Sequence, residues 1–277
     1  MRENLFLEDI DLLTKFLLRE RGLDLSLYSK KFLKRRIYIR LMELKVATIQ
    51  EYINFLKKNS EEFSKFLEIL SVNVSEFFRD PEVFDFFYKN CVPQIIKEKE
   101  EKNLSFVRCW SCGCSCGEET YSLAILFKEF LKNNNIDVKI WGTDIDEKAL
   151  KIAKEGKYKK NSLRKVSSSY LKRYFTYLED EDRYEVIDEI KKMVIFKKHN
   201  FLVDRPLGKM DVIFFRNVKI YFDKKKADKV LVNICKCLKN KGYLVLGKVE
   251  TLSDSLKERF EVVDIRCRIF RKIRKEV

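Results

Sequence analysis

The chain has 277 residues, of which 45% are apolar and 36% charged, and a formal net charge of +15. Such a composition excludes a disordered chain, and the length holds one large domain or an ordinary domain with a smaller companion. No apolar run is long enough for a transmembrane helix, and the first residues carry acids where a secretory signal needs basic and then apolar ones. A cytoplasmic protein without membrane insertion is expected.

The basic excess favours acidic partners, nucleic acid included, although lysines scattered along the whole chain also suit a solvated surface. In a chain without an export signal, the eight cysteines read as reduced thiols rather than a disulfide frame. Cys112, Cys114 and Cys116 alternate with other residues, whereas metal sites use wider gaps and a distant second pair, often with histidine. His199 is the only histidine, and no metal is expected.

Residues 1–70 read as a small helical domain. Leu33, Ile37, Leu41 and Leu44 recur at helical spacing, as do Tyr52, Phe55 and Leu56, then Phe63, Phe66, Leu67 and Leu70. From Ser105 the pattern changes to short β-rich runs alternating with helices. SFVRCW precedes a helix over Glu118–Asn133; VKIWGTD precedes a helix from Glu147; MVIFKKHN, MDVIFFRN, a helix near Lys224–Leu238 and GYLVLG follow. FEVVDIR and CRIFRKI, separated by almost nothing, predict an antiparallel pair at a sheet edge. Alternating strands and helices predict a parallel sheet covered on both faces. Six parallel strands and one antiparallel strand resemble the class I methyltransferase (Rossmann-like) variant of the α/β fold. About 157–192 is too long for a simple crossover and predicts an inserted, β-containing subdomain.

The chemistry concentrates at Cys109–Glu119. There a strand ends, Gly113 and Gly117 make a sharp turn, and a helix opens on two acids. In doubly wound folds the crevice beyond the carboxyl end of the first strand binds nucleotides, and glycine lets backbone approach a ligand closely. A dinucleotide wants its phosphates at the helix N-terminus. Glu118 and Glu119 would repel phosphate there and attract an ammonium group, which S-adenosyl-L-methionine carries. Asp144, ending the next strand, is placed for the ribose hydroxyls, while Asp146 suits a helix cap before Glu147.

Four blocks then match one family in order and spacing: Asn73-Val-Ser-Glu-Phe-Phe-Arg-Asp80; Trp110–Ala124; Thr143-Asp-Ile-Asp146; and Phe215-Arg-Asn-Val-Lys-Ile-Tyr-Phe-Asp223. The chain resembles the chemotaxis receptor methyltransferases of the CheR type, and the resemblance covers nearly all of it. It implies a helical domain at 1–70, a linker at 71–90 and a methyltransferase domain at 91–277. It further implies methyl transfer from S-adenosyl-L-methionine to glutamate side chains of chemoreceptors, with S-adenosyl-L-homocysteine as product. At matching positions, Asn73, Ser75, Arg79, Gly113, Glu119, Asp144, Asn200, Phe201, Arg216 and Asn217 are the implied cofactor contacts. Arg79 and Tyr221 are implied at the reacting end. The basic helix 29–45, with Lys30, Lys31, Lys34, Arg35, Arg36, Arg40 and Lys45, is implied to meet the receptor's glutamate-rich helices, and a monomer is expected.

This chain departs from the family at Cys116 and Thr120, where threonine and proline are usual. In Leu246-Gly-Lys-Val-Glu250, Val249 stands in the place of a serine. Leu178–Arg183 replaces a glycine-rich loop, which predicts recognition independent of a receptor-tail pentapeptide. Two alternatives remain open at this point. A nucleic-acid methyltransferase would suit the charge, but the Asn/Asp-Pro-Pro-aromatic motif of base methylation is missing. A cofactor-binding regulator without turnover would suit the altered Val249 loop.

Overall fold

The computed structural model describes residues 2–70, 75–132, 135–201, 204–205 and 207–273. Two compact units result: Met1–Val72 with Lys219–Lys229, and Asn73–Val218 with Val230–Val277.

Among the described residues the first unit contains α1 (Arg2–Arg21), α2 (Lys30–Leu44), α3 (Ile49–Lys58) and α4 (Ser60–Leu70), besides segment 219–229. Ser29 caps α2 by accepting from the Phe32 amide, and Thr48 caps α3 from the Glu51 amide, each satisfying a donor that the helix start leaves open. Leu33, Ile37, Leu41, Tyr52, Leu56, Phe66 and Leu70 are buried, as their spacing predicts, together with Ile10, Leu13 and Leu17 of α1. Segment 219–229 joins this unit through backbone and rings. The Ser29 amide donates to the Tyr221 carbonyl at 3.0 Å, and Tyr28 forms a bridge with Phe222. The rings of Phe32 and Tyr221 lie 5.2 Å apart.

Arg40 departs from the expected positive face of α2. It is buried, donates to Glu62 through Nε and Nη2, and reaches Glu43 at 2.6 Å. The Tyr52 hydroxyl donates to the same Glu62 carboxylate at 2.9 Å. Burial and that neighbouring carboxylate push the Tyr52 phenol well above its ordinary range. The hydrophobic stripe at Leu33, Ile37 and Leu41 carries Arg40 inward, leaving Lys30, Lys31, Arg35 and Lys45 exposed.

In the second unit, α5 (Pro81–Phe86) runs through a π turn at Phe87–Cys91 into α6 (Val92–Glu100). Then follow β1 (Phe106–Cys112), α7 (Glu118–Phe130), β2 (Asp137–Asp144) and α8 (Glu147–Glu155). The insertion contains β3 (Lys157–Tyr158), α9 (Ser168–Tyr174), β4 (Phe175–Leu178), β5 (Arg183–Val186) and α10 (Asp188–Lys191). The chain continues with β6 (Val194–Lys198), β7 (Met210–Phe215), α11 (Lys224–Lys236) and β8 (Leu238–Leu246). It closes with α12 (Asp254–Lys257), β9 (Phe260–Asp264) and β10 (Ile269–Lys272).

The main sheet has the order β6-β2-β1-β7-β8-β10-β9, and β10 runs antiparallel to both of its neighbours. Six parallel strands and one antiparallel strand are what the alternation predicted. Every residue of β7 is buried, as a strand covered on both faces requires. The insertion forms its own antiparallel sheet, β3-β5-β4. Of the segment expected as a linker, the part described from Ser75 onward lies in the second unit, and Phe77, Phe78, Val83, Phe84 and Phe87 enter its core.

Breaking the Arg40–Glu62–Tyr52 cluster leaves a buried guanidinium without its main partner. Glu62→Ala is expected to lower stability by about 3–5 kcal/mol, read by denaturant unfolding. Lys31→Ala, on the exposed face, is expected to stay within about 0.5 kcal/mol.

Candidate functional site

Strands β6, β2, β1 and β7 are neighbours running the same way, so the loops after them gather at one edge of the sheet. After β1 the chain passes through Gly113, Ser115 and Gly117, all with positive φ (70, 51 and 92°). The Gly113 and Cys114 amides donate to the Thr143 carbonyl at 2.8 and 2.9 Å. Asp144 holds the strained Ser115 by accepting its amide at 2.8 Å. A Cβ on Gly113 would lie 2.8 Å from Val218, and one on Gly117 would lie 2.8 Å from both Phe196 and Ala153. Close approach to a ligand is one reason for both glycines; packing against protein side chains and the left-handed backbone supply another.

Several acids stand at this edge. Glu119 accepts the Ser111 hydroxyl at 2.8 Å on one oxygen and Arg216 at 3.2 Å on the other. Glu118 is buried, accepts from the Ser75 side chain, and keeps one oxygen without a hydrogen-bond partner among the described residues. Burial pushes its carboxyl above the usual range, against the pull of the hydrogen bonds. Asp144 accepts the amides of Asp146 and Ser115, which favour its charged form, but desolvation outweighs them and raises its pKa. Asp146 caps α8 through the Lys148 and Ala149 amides, at 2.9 and 3.2 Å.

Arg216, just beyond β7, binds these pieces together. Its side chain is 1% exposed. Nη2 donates to Asp80 at 2.6 Å and to the Arg79 carbonyl at 3.0 Å, Nη1 donates to Glu119, and the guanidinium sits 5.4 Å from the Phe84 ring centre. Asp80 opens α5 in a left-handed conformation and makes no side-chain cap, because its carboxylate faces Arg216 and Lys248 instead. Lys248 also pairs with Glu82. The guanidinium of Arg216 is thus engaged with protein groups, whereas the sequence resemblance implied a cofactor contact.

Asn217 has φ 59°, and its amide donates to Glu250 at 3.0 Å. The same buried carboxylate receives the amides of Val218 at 3.0 Å and Gly247 at 2.7 Å. Glu250, Asp80 and Ser111 were missing from the sequence-derived site; a buried acid one residue after the atypical Val249 was the available signal. Val249 itself is 75% exposed. After β6, His199 lies edge-on to Trp110 at 5.6 Å, with Nε2 3.0 Å from the Arg205 carbonyl. Its amide donates to the Asp144 carbonyl, the Asn200 amide donates to Asp204, and Phe201 packs edge-on against Phe215. Asn73 lies outside the described residues. Ser75 and Arg79 are half-buried within the second unit. Tyr221 belongs to the helical unit, with its ring against Phe32. The eight cysteines are free thiols, and burial pushes those of Cys112 and Cys114 well up and that of Cys116 to about 11.

A family model described as the CheR methyltransferase SAM binding domain matches residues 73–269, and its all-alpha domain matches residues 8–71. A chemotaxis protein methyltransferase of Borreliella burgdorferi is 34% identical over 256 residues, spanning 90% of this chain and 90% of that protein. One from Listeria innocua is 31% identical, spanning 86% of this chain and 88% of that protein. Chemotaxis protein methyltransferase 2 of Pseudomonas aeruginosa is 30% identical, spanning 88% of this chain and 86% of that protein.

Glu250 satisfies three backbone amides at once. Glu250→Ala is expected to cost about 2 kcal/mol or more, since buried donors lose their acceptor. Val249→Ser is expected to leave the thermal midpoint within about 1 °C. A thermal melt of both variants checks the contrast.

Proposed function

This chain belongs to the CheR methyltransferase family, and we propose that it transfers the methyl group of S-adenosyl-L-methionine to glutamate side chains of chemoreceptors, forming 5-O-methyl esters. The observation that carries the reading is the charge of the sheet edge. Glu119 stands in the first turn of α7 and Asp144 at the tip of β2, with the buried Glu118 immediately before Glu119. An edge built of carboxylates suits a ligand with an ammonium and ribose hydroxyls, and disfavours one that presents phosphates. The relatives named chemotaxis protein methyltransferases support the receptor substrate.

When bound, S-adenosyl-L-methionine supplies an electrophilic methyl on a sulfonium. The chain's own residues bind and orient. Asp144 accepts the ribose hydroxyls and Glu119 the ammonium, and Asn200 and Phe201 flank the adenine. Ser75 and Gly113 complete the wall. Arg216 acts through Glu119 and through the Arg79 carbonyl, fixing where the acid and the Arg79 side chain stand. Asn217, tied down by Glu250, shapes the loop after β7. Arg79 orients the incoming carboxylate.

A glutamate with an ordinary pKa near 4.3 is already ionised at neutral pH, so attack on the methyl needs no general base. The single histidine, engaged with Trp110 and the Arg205 carbonyl, is therefore not required for proton transfer. Rate then comes from holding nucleophile and methyl in line, which alone removes several kcal/mol of a barrier. The exposed Lys30, Lys31, Arg35 and Lys45 suit a glutamate-rich helix by steering and register.

Transfer of labelled methyl from S-adenosyl-L-methionine to receptor-bearing membranes, released as methanol by mild base, tests the reaction. Base-stable label, or label in RNA, overturns it. Arg79→Ala is expected to cut transfer about a hundredfold while product affinity changes less than about threefold; equal losses would deny Arg79 its orienting role. Asp144→Asn is expected to weaken product binding about ten- to a hundredfold. Because burial raises the Asp144 pKa, its carboxylate takes up a proton at a higher pH than an ordinary aspartate. Product affinity should therefore fall on acidification earlier than an unperturbed aspartate would give, and the Asp144→Asn variant should lack that step in calorimetric titrations.

A further inference from the structure

A cavity of about 200 Å³ with charged residues in its lining lies in the second unit where α6 ends and where β7 and β8 begin. This is the amino-terminal end of β7, opposite to the loops that gather the acids. Its lining includes Lys99, Lys102, Lys239 and Lys241, with Asp211 and Tyr243.

The charges do not balance. Asp211 accepts Lys99 at 2.7 Å and Lys239 at 2.9 Å on the same oxygen, while its other oxygen takes the Arg108 amide at 2.8 Å. Glu98, the other acid in the lining, is paired with Arg271. Among the described residues, no carboxylate lies within ion-pair distance of Lys102 or Lys241. Four lysines thus share a lining whose one carboxylate not paired with an arginine is Asp211, and two of them, Lys99 and Lys239, reach it. Lys99 is buried, and desolvation lowers its pKa against the pull of Asp211, with a smaller lowering from Lys239. Lys239 and Lys241 precede Gly242 in the irregular start of β8, where its register against β7 shifts, and a Cβ at Gly242 would lie 2.9 Å from the Asp211 carbonyl. This stretch is thus seated closely on the strand that carries Asp211. Tyr243, Ile95 and Leu104 add apolar wall.

We propose that this cavity binds the phosphate group of a small molecule, held by Lys102, Lys239 and Lys241 while Lys99 stays on Asp211. A dianion answers the surplus positive charge, and lysine is a common phosphate partner as a point charge. The volume is below that of pockets which engulf drug-sized ligands, so it fits a phosphate with a small organic part rather than a dinucleotide. The acids of the methyl-transfer edge repel phosphate, so the two ends of the sheet sort ligands by charge.

Calorimetric titration of the full chain at low ionic strength, with inorganic phosphate, pyrophosphate and AMP as separate probes, tests the site. The expected result is saturable one-to-one binding of at least one probe, weakened tenfold or more in the Lys102→Ala/Lys241→Ala double variant. Binding of S-adenosyl-L-homocysteine should be unchanged in that variant, which shows that it is folded. Preference for AMP over inorganic phosphate assigns the site to phosphomonoesters, and the reverse assigns it to the free anion. No saturable binding up to about 10 mM, or equal binding by the wild type and the double variant, overturns the proposal. The lysines would then only offset the carbonyl end of α6.

Discussion

The buried guanidinium of Arg216 is the constraint on which the methyl-transfer edge depends. It ties the start of α5, the first turn of α7 and the exit from β7, three segments far apart in sequence. An unpaired charge at that depth would be costly, so the two carboxylates and the carbonyl around it are held as firmly as it is. The arrangement also has a sign. One guanidinium meets Asp80 and Glu119 together, and Lys248 reaches only the Asp80 side. Asp80 thus meets two cations and Glu119 one, so the Glu119 side is the less neutralised one, where an ammonium would be welcome.

Backbone strain near this hub follows from the same ties. Phe78, Asp80, Ser115 and Asn217 all have positive φ without being glycine. Each sits beside a side-chain anchor: Ser122 receives the Phe78 amide, Asp80 meets Arg216, Asp144 receives the Ser115 amide, and Glu250 receives the Asn217 amide. Left-handed residues cost free energy and persist where surroundings over-determine them. Here the anchors are polar side chains delivered from other elements. The site is rigid for reasons that no single loop contains.

That distribution explains what could be read from the sequence. The sheet, its antiparallel strand and the helical unit follow from local periodicity, and each element appeared where its apolar pattern lay. The β1 turn was legible because its glycines and acids are contiguous. The partners of Arg216 were not, since Asp80 lies 136 positions away and Glu119 97 positions away. The inward turn of Arg40 was hidden for a similar reason: its partner Glu62 is on another helix, and a basic residue in a basic run looks solvated. The attachment of 219–229 to the helical unit depends on Tyr28 and Phe32, whose aromatic spacing looks like ordinary core.

The altered loop before Glu250 shows how position decides whether a substitution matters. Val249 projects to solvent, so exchanging a serine for it changes no interior contact. Glu250 points inward and closes three amides, so the loop after β7 keeps its shape whatever residue precedes the acid. Lys248, on the other side, adds a cation that meets Asp80 and Glu82. Its contribution is to the outer face of the Arg216 hub, where water screens it. The departure from the usual pattern therefore lies outside the polar network, and the network that positions Glu119 and Arg79 is intact.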